Sequence, residues 1–380
     1  MLFSEIIGLE HIKTHLTASA DKGRVPHAQL FVGSNGSGTL PMAIAYAQYL
    51  LCQNKGENNG ENVSCNTMCN KLAHPDLHFS FPVAVNQKVK KHPVSNHFLE
   101  EWREFVHTNP YGSLFDWYQK LGIENKQGQI GVDEAQEIVK SLSLKSYEGG
   151  YKIMLVWQAE KMNNSASNKL LKLIEEPPND TVLILIAEDE AQLLQTIRSR
   201  CQVLHFPPLG EAVIAEALKE KTDAANAGLV ARQANGSFTN ALHILQESEG
   251  EEQFETWFIA WVRSAFKAKG NKASIRELIS WSEEIAKTGR ETQKKFLLYC
   301  LDFFRQALLW NYKSEKLVYL SPKTKGFSLE KFAPFVHGNN IVPIKNELQN
   351  ALFHIERNGN AKIILTDLSI KLTRLLHAKA

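Results

Sequence analysis

Residues 151–208, YKIMLVWQAEKMNNSASNKLLKLIEEPPNDTVLILIAEDEAQLLQTIRSRCQVLHFPP, decide the fold. After Lys152 the run to Trp157 is continuously apolar, as in a parallel strand covered on both faces, and Thr181–Ala187 reads the same way. Between them a helix is expected over 165–176. Pro177-Pro178 ends it, because proline lacks an N–H and pushes the preceding residue out of the helical region. The unit is βαβ, and its second strand leads to Ser199-Arg200-Cys201.

Working outward, 380 residues leave room for two or three domains and a sizeable core. No apolar run is long enough to span a membrane and the start, MLFSEIIGLEH, does not read as a leader, so a cytoplasmic protein is expected. With 43 basic and 41 acidic side chains the net charge is only +2, too little to hold nucleic acid unaided. Any DNA contact would be local or shared with partners.

Upstream, an apolar strand over 29–32 runs into Gly33-Ser34-Asn35-Gly36-Ser37-Gly38-Thr39-Leu40, and a helix follows from Met42 to Cys52. Strand, glycine loop and helix match a phosphate-binding loop, in which backbone N–H groups cradle phosphates at a helix N-terminus. That loop needs a lysine for the terminal phosphates and a hydroxyl for Mg²⁺. Here Thr39 and Leu40 hold those places, and Pro41 removes a further donor. Gly33, Gly36, Gly38 and Thr39 therefore read as a degenerate loop, without ATP turnover.

Five cysteines argue against a disulfide framework. Three of them, Cys52, Cys65 and Cys69, flank a polar low-complexity excursion at 53–64, and His74 follows. Together they are candidate zinc ligands with His74 as a possible fourth, against the plainer reading of a buried Cys52 and a strand starting near His74. Residues 82–127 interrupt the α/β alternation with a basic loop and the rings of Phe98, Trp102, Phe105, Tyr111, Phe115, Trp117 and Tyr118. These rings could stack single-stranded bases or a partner, but apolar faces at helical spacing usually pack on their own domain.

The expected organisation is an α/β domain over 1–208 carrying that insertion, a small helical lid over 209–250 and an all-α domain over 251–380. Amphipathic windows at 254–266, 276–313, 341–357 and 361–377 support the last of these.

Gly8, Pro26-His27-Ala28, the glycine loop, His74-Pro75-Asp76, NKLLKLIEEPP at 168–178 and Ser199-Arg200-Cys201 together resemble bacterial clamp-loader subunits of the AAA+ class. The resemblance covers about the first 245 residues apart from the insertion. It implies a RecA-like domain with a parallel sheet, a helical lid and a helical collar that holds a ring together. Within that family the chain looks like the ATP-inert delta-prime type. Trp157 and Gln158 stand where motors carry the Asp-Glu that serves Mg²⁺ and water. Ala187 or Glu188 replaces the phosphate-sensing threonine, and Thr239 the lid arginine.

Ser199-Arg200-Cys201 alone is intact, which implies that Arg200 serves the ATP site of a neighbouring motor subunit in trans. The implied partners are tau/gamma-type motors and the clamp-opening delta subunit, with the sliding clamp and primed DNA reached through the assembly. Of the family's zinc spacing only part is kept, since continuing it from Cys65 falls on Met68 and Lys71. Two rival readings stay open: an ATPase with an altered loop, and a zinc- or single-strand nucleic-acid-binding module.

Overall fold

The computed structural model describes residues 1–52, 63–123, 126–147, 149–246, 250–269, 271–314, 317–320 and 322–378. Most of the expected polar excursion, 53–62, and residues 247–249 at the expected end of the lid lie outside them. Two compact units divide the chain, Met1–His243 and Ile244–Ala380.

The first unit begins with α1 (Glu10–Asp21), β1 (Ala28–Gly33), α2 (Thr39–Cys52), α3 (Val63–Asn70) and β2 (Leu77–Ser80). α4 (Leu99–Thr108) and α5 (Leu114–Leu121) form the insertion. α6 (Val132–Ser143), β3 (Lys152–Trp157), α7 (Asn164–Glu175), β4 (Thr181–Ala187), α8 (Gln195–Arg198) and β5 (Gln202–Phe206) follow. α9 (Glu211–Leu218), α10 (Ala224–Gln233) and α11 (Phe238–Gln246) occupy the stretch expected as a lid, and the division between units falls within α11.

The five strands lie in the order β2-β3-β4-β1-β5, and every pair is parallel. Each residue of β1, β3 and β4 is buried, which is why those strands are apolar without alternation. Lys152, buried at the start of β3, donates from Nζ to the carbonyls of Leu142 at 2.5 Å and Leu144 at 2.6 Å. On one face Leu30, Met154, Leu183 and Leu185 pack against Ile138 of α6, Leu170 and Ile174 of α7, and Ile197 of α8. The other face is covered by α2, buried from Leu40 to Gln48 and so apolar nearly all round.

α7 starts where Asn163 caps it, accepting from the Ala166 N–H at 2.8 Å, and stops at Glu176 before the proline pair. Of the insertion rings, Phe98, Trp102, Phe105, Tyr111, Trp117 and Tyr118 are buried within their own unit and Phe115 is half-buried; Phe81 stacks on Trp102 at 4.3 Å. They are thus unavailable as a platform for bases.

The second unit is all-helical among the described residues: α12 (Gly250–Lys267), α13 (Lys272–Ala286), α14 (Arg290–Asn311), α15 (Leu329–Phe332), α16 (Gly338–Glu356) and α17 (Ala361–Leu375). The amphipathic window 276–313 is in fact two helices. The chain breaks at Lys287–Gly289, where Gly289 takes an extended conformation to start α14. Phe258, Trp261, Trp281, Phe296, Phe303 and Phe304 form its core. Trp261 stacks on Trp281 at 5.0 Å and donates from Nε1 to Ser369 Oγ at 2.8 Å. Among the described residues no helix is long and apolar enough to cross a membrane.

Candidate functional site

The glycine loop lies at the C-terminal end of β1, where α/β sheets bind ligands because strand order reverses there. Here the first unit itself fills the crevice. Gly36 accepts a hydrogen bond on its carbonyl from the Phe238 N–H of α11 at 3.1 Å, and Leu209 N–H donates to Gly236 O at 2.9 Å. Gly36 has φ +77°, and a Cβ there would lie 2.7 Å from the Thr239 nitrogen and still closer to Ser237 Oγ. Only glycine allows this approach.

Thr239, at the place of the lid arginine, is fully buried. Its hydroxyl donates to the carbonyl of Tyr111 and lies 3.4 Å from Asn35 Oδ1. Tyr111 comes from the insertion and packs edge-on against Phe238 at 5.1 Å. Its hydroxyl accepts from the Ile7 N–H at 2.9 Å, and burial pushes it up to about 12. What remains between the loop, Pro110-Tyr111-Gly112, Trp157 and Glu188 is a cavity of about 20 Å³, room for about one water.

Where motors carry two acids, Trp157 packs on Trp102 at 5.2 Å and Phe105 at 5.8 Å, anchoring the insertion to the sheet. Gln158 donates from Nε2 to Glu188 Oε1 at 2.8 Å. Glu160 accepts from the Glu188 N–H at 3.1 Å, and burial raises its carboxyl to about 7.

The arginine turn lies at the opposite end of the sheet. β5 pairs with β1 from Gln202 against Gln29 to Phe206 against Gly33, so Arg200 precedes the N-terminal end of β5 while the glycine loop follows the C-terminal end of β1. Ser199 closes α8 and donates to Thr196 O at 3.3 Å. Cys201 is half-buried against the apolar core, and burial raises its thiol to about 11. Between them Arg200 points outward, its side chain 41 % exposed. Nε donates to Glu175 Oε1 at 2.7 Å, and Nη1 donates to Thr196 O at 3.0 Å.

The three clustered cysteines do meet, their sulfurs lying within 4.8 Å of one another. Contrary to the expectation from an odd count, Cys52 and Cys65 are joined as a disulfide, with Cα atoms 5.5 Å apart because the end of α2 abuts α3. Cys69 Sγ lies 3.6 Å from Cys52 Sγ. His74 does not complete the set: it lies outside the sulfur cluster, and its Nδ1 accepts from the Asp76 N–H at 3.1 Å. As they stand, these donors do not fit a closed structural zinc site, which needs four unbonded ligands.

A family model described as "DNA polymerase III, delta subunit" matches residues 8–210, which holds both the glycine loop and the arginine turn. The chain belongs to the DNA polymerase III delta-prime family of clamp-loader subunits. A delta-prime subunit from Bacillus subtilis (strain 168) is 29% identical over 203 residues, 53% of this chain and 49% of that protein. One from Haemophilus influenzae is 29% identical over 235 residues, 61% and 59% of the two chains. A DNA polymerase III subunit gamma from Buchnera aphidicola is 24% identical over 253 residues, covering 65% and 58%. These matches span about half to three fifths of the relatives' lengths. With its parallel sheet, following helices and a second unit that is all-α among the described residues, the chain has the α/β AAA+ fold.

Two contributors to this site escape a reading of sequence. Tyr111 is one ring among many in the insertion, and nothing in its neighbourhood marks it as the residue that enters the glycine loop. Glu175 reads in the sequence only as one candidate, with Lys169, Lys172 and Glu176, for an inter-subunit or domain-interface face, whereas the fold pairs it with Arg200.

Proposed function

We propose that this chain is an ATP-inert subunit of the bacterial clamp loader that lends Arg200 to the ATP site of a neighbouring motor subunit. The observation that carries it is placement. Four strand steps of ~3.3 Å, about 13 Å in all, separate the levels of Gln202 and Phe206, putting the arginine turn out of reach of the chain's own glycine loop. An exposed guanidinium at a sheet end is suited to neutralising charge on a transferring phosphoryl group in an adjacent subunit, where such an arginine is worth roughly 10³ to 10⁵ in rate. The chain's own crevice has no lysine among its lining residues and carries Trp157 and Gln158 where motors hold two acids, while Tyr111 and Thr239 close on its glycine loop.

The partners proposed are gamma/tau-type motors and the clamp-opening delta subunit. The sliding clamp and primed DNA are reached through the assembly, in the cytoplasmic replisome and away from membranes. Zinc loading of Cys52, Cys65 and Cys69 would need the disulfide reduced and a further donor, and metal analysis of the reduced protein tests it.

Two measurements test the main reading. ATP titrated into the purified chain gives no micromolar binding and no turnover; micromolar binding with hydrolysis lost in Thr39→Ala would restore the ATPase reading. In the reconstituted loader, Arg200→Ala leaves assembly intact and lowers DNA-stimulated ATPase.

A further inference from the structure

The second unit carries an apolar pocket that nothing above uses. A cavity of about 220 Å³ opens between the end of α12, the turn at Gly326 and α15, walled by Val262, Phe266, Phe327, Phe332, Phe335 and Leu376. Phe266 and Phe335 remain 42 % and 38 % exposed at its rim. The walls are held in place: Arg263 donates from Nη2 to the Gly326 carbonyl at 2.8 Å and lies over the Phe327 ring at 5.7 Å. Phe266 stacks on His377 at 4.7 Å and meets Phe335 edge-on at 4.9 Å.

The charge around this pocket has one sign. Arg263, Lys267 and Lys331 line it with Ser328, and among the described lining residues there is no Asp or Glu. An apolar pocket of this kind with a few convergent polar groups is the ordinary form of a recognition site, and exposed aromatic rims are uncommon away from one.

We propose that this pocket docks a short peptide segment of a partner protein, one in which a large apolar side chain is flanked by carboxylates. The apolar side chain fills the cavity walled by Val262, Phe327, Phe332 and Leu376, and the carboxylates meet Arg263, Lys267 and Lys331 at the mouth. Charge complementarity selects this occupant over two others. A second copy of the chain would set the three cations of one face against those of the other in a self-complementary dimer. Single-stranded nucleic acid stacks on open ring faces along a basic track. Here the Phe266 face is taken by His377, and the cations line a cavity from two helices, Arg263 and Lys267 from α12 and Lys331 from α15. The inference stands apart from the role of Arg200 and survives or falls without it.

The test uses the full-length chain and three probes: the fluorescein-labelled hexapeptide Asp-Asp-Phe-Leu-Asp-Glu, the same peptide with Ser-Ser for Phe-Leu, and a 20-nucleotide oligothymidine. Anisotropy should show saturable, sub-millimolar binding of the first peptide, weakened at least about tenfold by Ser-Ser. The double variant Lys267→Glu/Lys331→Glu, at two exposed positions, should weaken it by about tenfold or more through loss of two exposed ion pairs. Phe335→Ser, a rim change that leaves the core rings in place, should weaken it as well. Four results would overturn the proposal: no binding of the first peptide below 1 mM, equal binding of the Ser-Ser peptide, binding unchanged in the double variant, or a dimer or oligothymidine complex that the double variant abolishes while the peptide fails to bind.

Discussion

Glu160 is held against the Glu188 backbone, and among the described residues its Oε2 has no hydrogen-bond partner. Its folded carboxyl titrates near 7, against an ordinary value of 4.5. The unfolded chain therefore releases this proton at lower pH than the folded one. Stability from this group is complete below about 4.5, declines as pH rises towards 7 and stays lost above that. Glu160→Gln keeps the acceptor and removes the charge. It should add up to about 3 kcal/mol of stability at pH 8, read as a higher melting temperature, and leave the melt nearly unchanged at pH 4.5. Parallel melts at the two pH values check this, and equal shifts at both would contradict it. Glu175 has a different part, since it and Arg200 are both substantially exposed and their pair adds at most about 1 kcal/mol to stability. Its consequence is orientation. If Glu175 preorders the guanidinium, Glu175→Ala should lower the loader's ATPase roughly three- to tenfold, the entropy of ordering one long side chain, with melting temperature unchanged.

At the scale of elements, α11 reaches the glycine loop through the backbone of Phe238, Gly36 admits it, and His243 of α11 meets Asp116 of α5 at 3.0 Å. Gly36→Ala puts a Cβ into Ser237 and Thr239 at φ +77°, and should cost about 2 kcal/mol or more while opening residues 209–243 to proteolysis. Thermal melts and timed proteolysis read both effects, and wild-type behaviour would contradict the tight contact. The same elements show what could be read beforehand. β3 and β4 were legible because burial on both faces makes them continuously apolar. β5 was not, since Gln202 and His205 of this edge strand are exposed and the pattern resembles a loop. Missing β5 hid the pairing of Glu175 with Arg200. Once five parallel strands are known, the end of α7 and the turn before β5 must share one end of the sheet. The degenerate loop and Ser199-Arg200-Cys201 were visible as motifs. Tyr111 was not, because an aromatic residue in an insertion looks the same whether it packs sideways or into the crevice.

Taken whole, the molecule holds a closed crevice at one end of its sheet and an outward arginine at the other. A chain with net charge +2 has little attraction for DNA on its own. The central claim is that Arg200 acts in another subunit's site. The measurement that tests it most directly is ATP hydrolysis by a reconstituted loader in which only the motor site facing this chain can turn over. Arg200→Ala and Arg200→Lys are compared with wild type, with assembly followed by gel filtration. The account predicts an unchanged complex and a fall of about 10³-fold or more for Arg200→Ala, with Lys a poor substitute because it lacks the planar guanidinium. An intact complex hydrolysing ATP at the wild-type rate would contradict it.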